Sequence, residues 1–483
     1  MGNYTMNKIS EDEIIRSNLS VVDDIGTVYV GKEYIYRVIN SDYVEDVKKI
    51  LESGLIQELV SKNIFPKTEI SEQKIKGNNL VLRHEKISRV IYPFEWSPEM
   101  LRKAALCVLQ VNECANKYGY ELKDAHPYNV LFKFNQPVFV DFGSIVKCKV
   151  QGHWIAKKEF LDCYFNNLKL VQNGFLSLYK TAFHRKGTGY TDIEILRINN
   201  KFYSFLGGRI SKKINILLHY YQYGVFVSNA SIEKKFKNAF FRNLIKFLFK
   251  SRFLPFRNAS IESLRLKINK INISHSSSWK EYHKINNYLT EEGKILLPSR
   301  MEWIVDKIRA LPIKTVTELA GNEGVLSRYI STLPNIKEVI CTDYDENAID
   351  SLLLNSDDEK IYMGCFDFVD EIHEQISPDR SNRLKSDLVI ALAVTHHLVL
   401  TQKITMDYIF TTVSSFTKKY IIIEFMPLGL WDGKFSPELP SWYTEEWFVE
   451  HMEKFYRIMH REQLEENRIV FIGELLNQGG IHA

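Results

Sequence analysis

The feature that most constrains the fold is a regular alternation of strand and helix patterns in the second half of the chain. Between about residues 315 and 425, five short apolar runs typical of strands alternate with stretches typical of helices. Strands that are separated by helical stretches of about 10–15 residues form βαβ units. The pattern therefore predicts an α/β domain with a mostly parallel, doubly wound sheet.

Changes in composition along the chain predict three segments. The chain has 483 residues, which exceeds the roughly 250–300 residues that one hydrophobic core supports. Residues 1–150 mix strand and helix patterns as an α+β region, and residues 151–278 have a helical, basic and aromatic-rich pattern that ends in a linker. Residues 279–483 contain the α/β domain.

The middle segment carries an excess of positive charge that the net charge of +4 conceals. Residues 201–290 hold 17 lysines and arginines but only three acids. In the favoured interpretation, the aromatic side chains of residues 201–270 pack inside the protein while the lysines face water. A peripheral contact with a membrane surface is an alternative that the pattern leaves open, and binding to nucleic acid is disfavoured.

Cysteine usage and the N-terminal residues predict the compartment. The six cysteines are widely spaced and form no CxxC pair, which favours reduced thiols. No apolar run resembles a signal peptide or reaches the ~18 residues of a membrane span. The predicted location is the cytoplasm, with the inner face of the membrane as the place of any peripheral contact. The sequence predicts no oligomeric state.

Small and acidic residues follow the predicted strands of the α/β domain, at the ends where a doubly wound sheet binds ligands. The first strand runs into a turn and a helix through Glu318, Ala320, Gly321, Asn322 and Gly324. Small residues allow the backbone to approach a ligand, and the helix N-terminus offers N–H groups. Asp343 ends the second strand, 25 residues after Glu318, near the offset of about 20 residues expected for a ribose-binding carboxylate. These residues predict a nucleoside site.

Four runs of the α/β domain, in order, resemble the motifs of a known enzyme class. ELAGNEG, CTDYD, GCFDF and DLVIALAVTHHL are similar to the first four motifs of class I S-adenosylmethionine-dependent methyltransferases. The resemblance implies a Rossmann-like fold over residues 279–483 and S-adenosylmethionine as the cofactor. It places Glu318 near the methionine amine, Asp343 at the ribose and Asp367 at the adenine amine. The cofactor-binding residues that it implies are Glu318, Ala320, Gly321, Asn322, Gly324, Asp343, Tyr344, Asp367, Phe368 and Ala391.

The turn after the first strand departs from the family pattern. The family has glycine where Ala320 stands and often where Asn322 stands, so this turn is less permissive than usual. A nicotinamide enzyme competes on the fold alone, but the turn lacks an unbroken GxGxxG pattern.

Three residues after the fourth and fifth strands are candidates for catalysis. His396 and His397 suit acceptance of a proton from a substrate hydroxyl, because the histidine pKa lies near neutrality. Packing against the pocket is the alternative for this pair. Glu424 is the other candidate, since burial of an acid on a strand is costly unless the acid has a partner or a function. Trp431 and the Trp442–Tyr443 pair are expected to pack in the core or a lid, with the acceptor pocket as the alternative, and no metal site is predicted in this half.

The amino-terminal half resembles a protein kinase locally. Asp124, Asn129 and Asp141-Phe142-Gly143 have the spacing of a kinase catalytic loop and its magnesium-binding motif. Arg37 stands on the strand where a kinase has lysine, and a glycine-rich phosphate loop is missing from the sequence. The resemblance implies a kinase-like fold, with a pseudokinase favoured. ATP, and Mg²⁺ at Asn129 and Asp141, remain open as further ligands.

Over nearly its full length, the chain resembles the NoeA family of nodulation proteins. The resemblance rests on Trp154 and on the runs ISRVIYPFEWSPEMLRKAALCVLQV, LKDAHPYNVLF, PVFVDFGSI, ELAGNEG, ALAVTHHL and IIIEFMP. It implies a methyltransferase that modifies a glycan or a small-molecule acceptor, with O-methylation favoured. A bifunctional kinase and methyltransferase is the alternative. An RNA methyltransferase is a weaker one, because the Asn-Pro-Pro-Tyr run of base-amine methyltransferases is missing after the fourth strand.

Overall fold

A computed structural model defines most of the chain outside its basic middle. The described residues are 14–17, 23–75, 80–149, 154–184, 189–191, 194, 195, 198, 260–273, 295–356, 358–370, 379–431, 433–435 and 437–476. Most of the basic segment, residues 201–290, lies outside the described residues. All six cysteines are free thiols, as predicted. In the described part of the chain, no helix has the length and apolar character needed to cross a membrane.

The chain divides into two compact units that interleave along the sequence. One unit consists of residues 1–107, 128–144 and 274–483, and the other of residues 108–127 and 145–273. This division into two units does not test the three consecutive segments that composition predicts, and those segments stay a prediction.

Strands and α-helices account for most of the described residues. The strands, in chain order, are β1 (Ile14–Arg16), β2 (Gly26–Gly31), β3 (Tyr34–Ile39), β4 (Thr68–Ile70), β5 (Val81–Glu85), β6 (Tyr120–Leu122), β7 (Val130–Lys133), β8 (Gln136–Phe139), β9 (Ile145–Lys147), β10 (Thr315–Leu319), β11 (Glu338–Asp343), β12 (Ile361–Cys365), β13 (Ser386–Ala391), β14 (Thr417–Phe425), β15 (Tyr456–Glu465) and β16 (Arg468–Leu475). The α-helices are α1 (Val44–Glu52), α2 (Leu55–Ser61), α3 (Pro98–Lys117), α4 (Lys157–Phe160), α5 (Asn166–Gln172), α6 (Leu176–His184), α7 (Ile261–Asn269), α8 (Ser299–Ala310), α9 (Val325–Ser331), α10 (Glu346–Asn355), α11 (Arg380–Arg383), α12 (Met406–Phe416) and α13 (Glu445–Glu453).

In the first unit, the amino-terminal strands form an antiparallel sheet in the order β1-β2-β3-β5-β4. The sequence pattern predicts one helix between β3 and β4, but the structure has two, α1 and α2. Gly54 separates them with φ +87°. This left-handed conformation is one that glycine adopts at little cost, so the chain turns there instead of continuing one helix. The hairpin β7-β8 belongs to the same unit.

The carboxy-terminal sheet of this unit confirms the predicted α/β architecture. Its seven strands have the order β12-β11-β10-β13-β14-β16-β15. The strands from β10 to β14 are parallel, whereas β16 pairs antiparallel with both β14 and β15. The sheet grows outward from β10 to β12 and then resumes on the other side of β10 with β13. Strand order thus reverses between β10 and β13, where an open α/β sheet forms its binding crevice.

The second unit is mainly helical in its described residues. Strands β6 and β9 pair antiparallel, and helices α4 to α7 lie in the same unit. The buried indole of Trp154 donates a hydrogen bond from Nε1 to the Leu122 carbonyl at 3.0 Å. A π-helical turn, Leu161–Phe165, joins α4 to α5 and is buried throughout. These contacts give the unit its own core.

Candidate functional site

The turn after β10 holds three residues with positive φ in a short stretch. Ala320 has φ 54°, Asn322 has φ 51° and Gly324 has φ 65°. A left-handed conformation costs a residue with a Cβ roughly 1–2 kcal/mol. A Cβ placed on Gly321 would lie 2.7 Å from the Cys341 Sγ and 3.0 Å from the Glu318 Cδ. The turn is therefore strained at two positions and too tight at a third for any residue but glycine.

Glu318 lies beneath this turn as a buried carboxylate. Its Oε2 accepts hydrogen bonds from the backbone N–H of Ser327, at 3.1 Å, and from the Ser327 hydroxyl. Burial raises the pKa of Glu318 to about 7, although the Ser327 hydrogen bonds oppose the shift. Glu318 is thus partly protonated near neutrality, and a cationic ligand group beside it would favour its ionised form.

Asp343, at the end of β11, connects the first and second strand ends. Its Oδ2 accepts the Asn322 N–H at 2.8 Å, and its Oδ1 accepts the Asp345 N–H at 2.9 Å. Burial raises the pKa of Asp343 to about 6. Tyr344, the next residue, has 53% of its surface exposed. The second strand end therefore offers a buried acid beside an accessible aromatic ring.

The third strand end follows β12 and is fixed to the second. The backbone N–H of Phe366 donates to the Asp343 carbonyl at 2.9 Å. Asp367 accepts the Val369 N–H on Oδ1 at 3.1 Å, and its carbonyl accepts Nη1 of Arg380 at 3.2 Å. The predicted cofactor residue Phe368 is buried. Three predicted acids, Glu318, Asp343 and Asp367, are thus brought to one edge of the sheet.

The two histidines stand after β13, beyond the predicted residue Ala391. Their ring centroids are 4.0 Å apart. His396 is 5% exposed, and within the described residues its buried Nδ1 has no hydrogen-bond partner. Burial, with smaller effects from His397 and Arg468, lowers the pKa of His396 to about 3. Burial also lowers the pKa of His397, which is only half-buried.

Glu424 is fully buried and lies in a ring of four charged side chains. Its Oε1 accepts Nη1 of Arg300 at 2.6 Å, and its Oε2 accepts Nη1 of Arg468 at 2.9 Å. Both arginines also pair with Glu465, at 3.3 and 3.0 Å. The Glu424 Oε2 further accepts the N–H of Ala393, which has φ 51°. The arginines and Glu465 were not predicted, because no local pattern in sequence joins residues so far apart.

The aromatic residues that follow β14 differ in burial. The buried Tyr443 ring lies 5.1 Å from the Phe425 ring, and its hydroxyl donates to the Met426 carbonyl at 3.2 Å. Trp442 has 48% of its surface exposed and lies 4.9 Å from Trp447. Tyr443 is thus a packing residue, while the Trp442 indole is accessible.

The kinase-like residues fall in both units. Within the first unit, Arg37 pairs with Asp23 and, at 3.4 Å, with Asp141, which also accepts the Gly143 N–H at 2.9 Å. The buried Nδ2 of Asn129 has no partner among the described residues. The described residues contain no group of three histidine, cysteine or acidic side chains that could hold a metal ion.

Asp124 belongs to the second unit. Its Oδ1 accepts the His126 N–H at 2.7 Å. Burial, followed by a hydrogen bond with Asp124, raises the pKa of the neighbouring Glu159 to about 7.

Comparison with known proteins agrees with the motif-based expectation. The chain is 24% identical to nodulation protein NoeA of Rhizobium meliloti (strain 1021) over 356 residues, which is 72% of this chain and 71% of that protein. No protein-family model matches the chain.

Two solved structures are similar to part of the chain. One is a S-adenosylmethionine-dependent methyltransferase from Aquifex aeolicus, at 13% identity, with 37% of this chain and 94% of that chain covered and a TM-score of 0.29. The other is a methyltransferase of the same kind from Clostridium acetobutylicum ATCC 824, at 13% identity, with 40% and 96% covered and a TM-score of 0.29. The fold assignment rests on the strand order of the sheet. The chain is thus similar to nodulation protein NoeA over 72% of its length, and its carboxy-terminal half has the doubly wound α/β architecture that the sequence predicted.

Proposed function

We propose that this protein transfers the methyl group of S-adenosylmethionine to a hydroxyl oxygen of a glycan or small-molecule acceptor. The observation that carries the proposal is the meeting of Glu318, Asp343 and Asp367 at the carboxyl edge of the sheet, beside the turn after β10. When bound, S-adenosylmethionine supplies a methyl group on a positively charged sulfur.

The residues at this edge fit such a cofactor. The buried Glu318 carboxylate suits an ammonium group, and Asp343 is an acceptor of the kind that ribose hydroxyls require. Asp367 follows the third strand, and we assign the adenine amine to it. At Gly321 even a Cβ would collide with the Cys341 Sγ, so the tight conformation of this turn requires glycine there. These residues account for binding and orientation.

We assign acceptance of the acceptor's proton to His397. A general base works best when its pKa lies near the operating pH. The pKa of His396, about 3, is too low for this role, whereas His397 is less buried. The Glu424 carboxylate is bound by two arginines and one backbone N–H. In the proposed step the acceptor oxygen forms a bond to the methyl carbon, the carbon–sulfur bond breaks with its electron pair on sulfur, and His397 takes the proton.

A glycan is favoured among the acceptors by the half-exposed Trp442. Sugar rings present C–H faces that can pack on an exposed indole ring. NoeA of Rhizobium meliloti is a nodulation protein, which is compatible with a carbohydrate acceptor.

A kinase-like fold of the amino-terminal region, and phosphoryl transfer by it, are less well supported. The contact between Arg37 and Asp141 places a guanidinium against the carboxylate that a kinase would give to Mg²⁺. This contact disfavours Mg²⁺ at Asp141, so ATP binding is the weaker alternative. Direct titration with Mg-ATP would test it.

Transfer of a labelled methyl group tests the proposal. The full chain is incubated with methyl-labelled S-adenosylmethionine and panels of oligosaccharides, small alcohols and small amines, and label in the acceptor is counted. Label should appear with wild type, and His397→Gln should lower transfer while cofactor affinity is kept. Asp343→Asn should lower both. If wild type binds the cofactor but labels only amines, the O-methylation proposal is wrong.

A further inference from the structure

A buried acid of the amino-terminal region supports the predicted adenine site. Glu95 ends the turn Pro93–Glu95 and is fully buried. Its Oε2 accepts the Tyr92 N–H at 2.8 Å. Its Oε1 lies 2.8 Å from Nη2 of Arg383 and 3.5 Å from Nε of Arg380. One carboxylate from the first hundred residues thus faces two arginines of helix α11.

Arg380 extends from this carboxylate to the third strand end. It is fully buried, and its Nη1 donates to the Asp367 carbonyl at 3.2 Å. Its guanidinium carbon lies 4.6 Å from the centroid of the Phe366 ring, in a cation–π contact. The side chain therefore touches Asp367, which was predicted to hold the adenine amine, and Phe366, the residue before it.

The charge of Glu95 favours the buried position of Arg380. A guanidinium is always protonated in proteins, so its burial requires a nearby negative charge. Removal of one partner from a buried ion pair leaves an uncompensated charge, which moves toward water when it can. If Arg380 left, the Asp367 carbonyl would lose a donor and the Phe366 ring would lose the cation over its face.

We propose that Glu95 is a positioning residue for the cofactor, because through Arg380 it holds Phe366 and Asp367 in the geometry that recognises adenine. The amino-terminal region is then part of the support of the methyltransferase site. This inference rests on the proposed cofactor site, and it adds that adenine recognition depends on a residue far away in sequence.

The test uses the full chain and two nucleosides that differ at one position of the base. S-adenosylhomocysteine carries the adenine amine, and S-inosylhomocysteine carries a carbonyl in its place. Glu95→Gln should bind S-adenosylhomocysteine about tenfold more weakly than wild type, within the range for residues that act on a site through others. Its preference for adenine over inosine should also fall, since that preference depends on Asp367. A loss of stability alone would leave the preference unchanged.

Glu69→Gln is the control. Glu69 also pairs with an arginine of the amino-terminal region, Arg83 at 2.6 Å, but the two residues lie on strands β4 and β5 of the antiparallel sheet. This variant should leave both affinity and preference as in wild type. Arg380→Lys is a second variant in case Glu95→Gln fails to fold: it keeps the positive charge near Glu95 but removes the planar group over Phe366. It should reduce the preference for adenine.

The outcomes separate this inference from the proposed function. Failure of the wild type to bind either nucleoside would reject the cofactor site itself. If wild type binds and Glu95→Gln keeps both the affinity and the preference for adenine, the role of Glu95 is refuted while the cofactor site stands. The same conclusion follows if Glu95→Gln cannot be folded and Arg380→Lys keeps the wild-type preference.

Discussion

Replacement of Glu424 by alanine should destabilise the protein strongly, because the carboxylate balances two buried arginines. The exposed side-chain fractions are 0% for Glu424, 4% for Arg300 and 14% for Arg468. Loss of one partner from a buried pair costs about 3–5 kcal/mol. Arg300 and Arg468 keep Glu465, which limits the loss, but the Ala393 N–H also loses its acceptor. We therefore expect a destabilisation of about 4 kcal/mol.

Thermal unfolding followed by tryptophan fluorescence measures this effect. At roughly 2 °C per kcal/mol for a large unit, the expected fall in Tm is about 8 °C. Glu465→Ala is the matched control in the same ring, and because Glu465 is 47% exposed it should cost at most about 1 kcal/mol. Equal shifts for the two variants would refute the argument from burial. If Glu424→Gln kept the wild-type Tm but abolished methyl transfer, Glu424 would be the general base instead of His397.

Three further predictions concern the cofactor site. The affinity for S-adenosylhomocysteine should rise about tenfold from pH 6 to pH 8, because the pKa of Glu318, about 7, makes ionisation of this acid limiting in that range. Calorimetric titration should show this rise for wild type and a much smaller one for Glu318→Gln. Over the same range the ligand-free protein should lose stability as pH rises. The reason is that the folded-state pKa of Glu318 lies above the unfolded value of 4.5, so folding favours the protonated acid. The Tm of Glu318→Gln should depend less on pH than that of wild type. Gly321→Ala should lower the affinity at least about tenfold, since the added Cβ collides with the Cys341 Sγ, whereas Ala320→Gly, which relieves the strain of φ 54°, should leave the affinity unchanged.

The sequence predicts the architecture of the second half because that architecture depends on local patterns. Apolar runs at regular spacing identify the parallel strands, and the acids at Glu318, Asp343 and Asp367 follow from strand ends that share one edge. The break at Gly54 is not predicted, because a single glycine inside a helical pattern is compatible with either a continuous helix or a turn.

Interactions between distant residues are what the sequence could not reveal. The ring around Glu424 and the pair of Glu95 with Arg380 join side chains that are more than a hundred residues apart, or belong to different strands of one sheet. No periodicity or motif encodes such partners. A buried acid can be suspected from its strand, as at Glu424, but whether it serves catalysis or holds arginines depends on what the fold places beside it.

Calorimetric titration of S-adenosylhomocysteine into the full chain and into Asp343→Asn tests the central claim most directly. Asparagine keeps the size of the aspartate but loses one acceptor and the charge, so the folded site should be preserved. We expect one molecule to bind per wild-type chain with micromolar affinity, and at least about tenfold weaker binding by Asp343→Asn, or a loss of more than about 1.4 kcal/mol. Absence of binding to folded wild type, or equal binding by the two proteins, would contradict the claim that this edge of the sheet is the methyltransferase site.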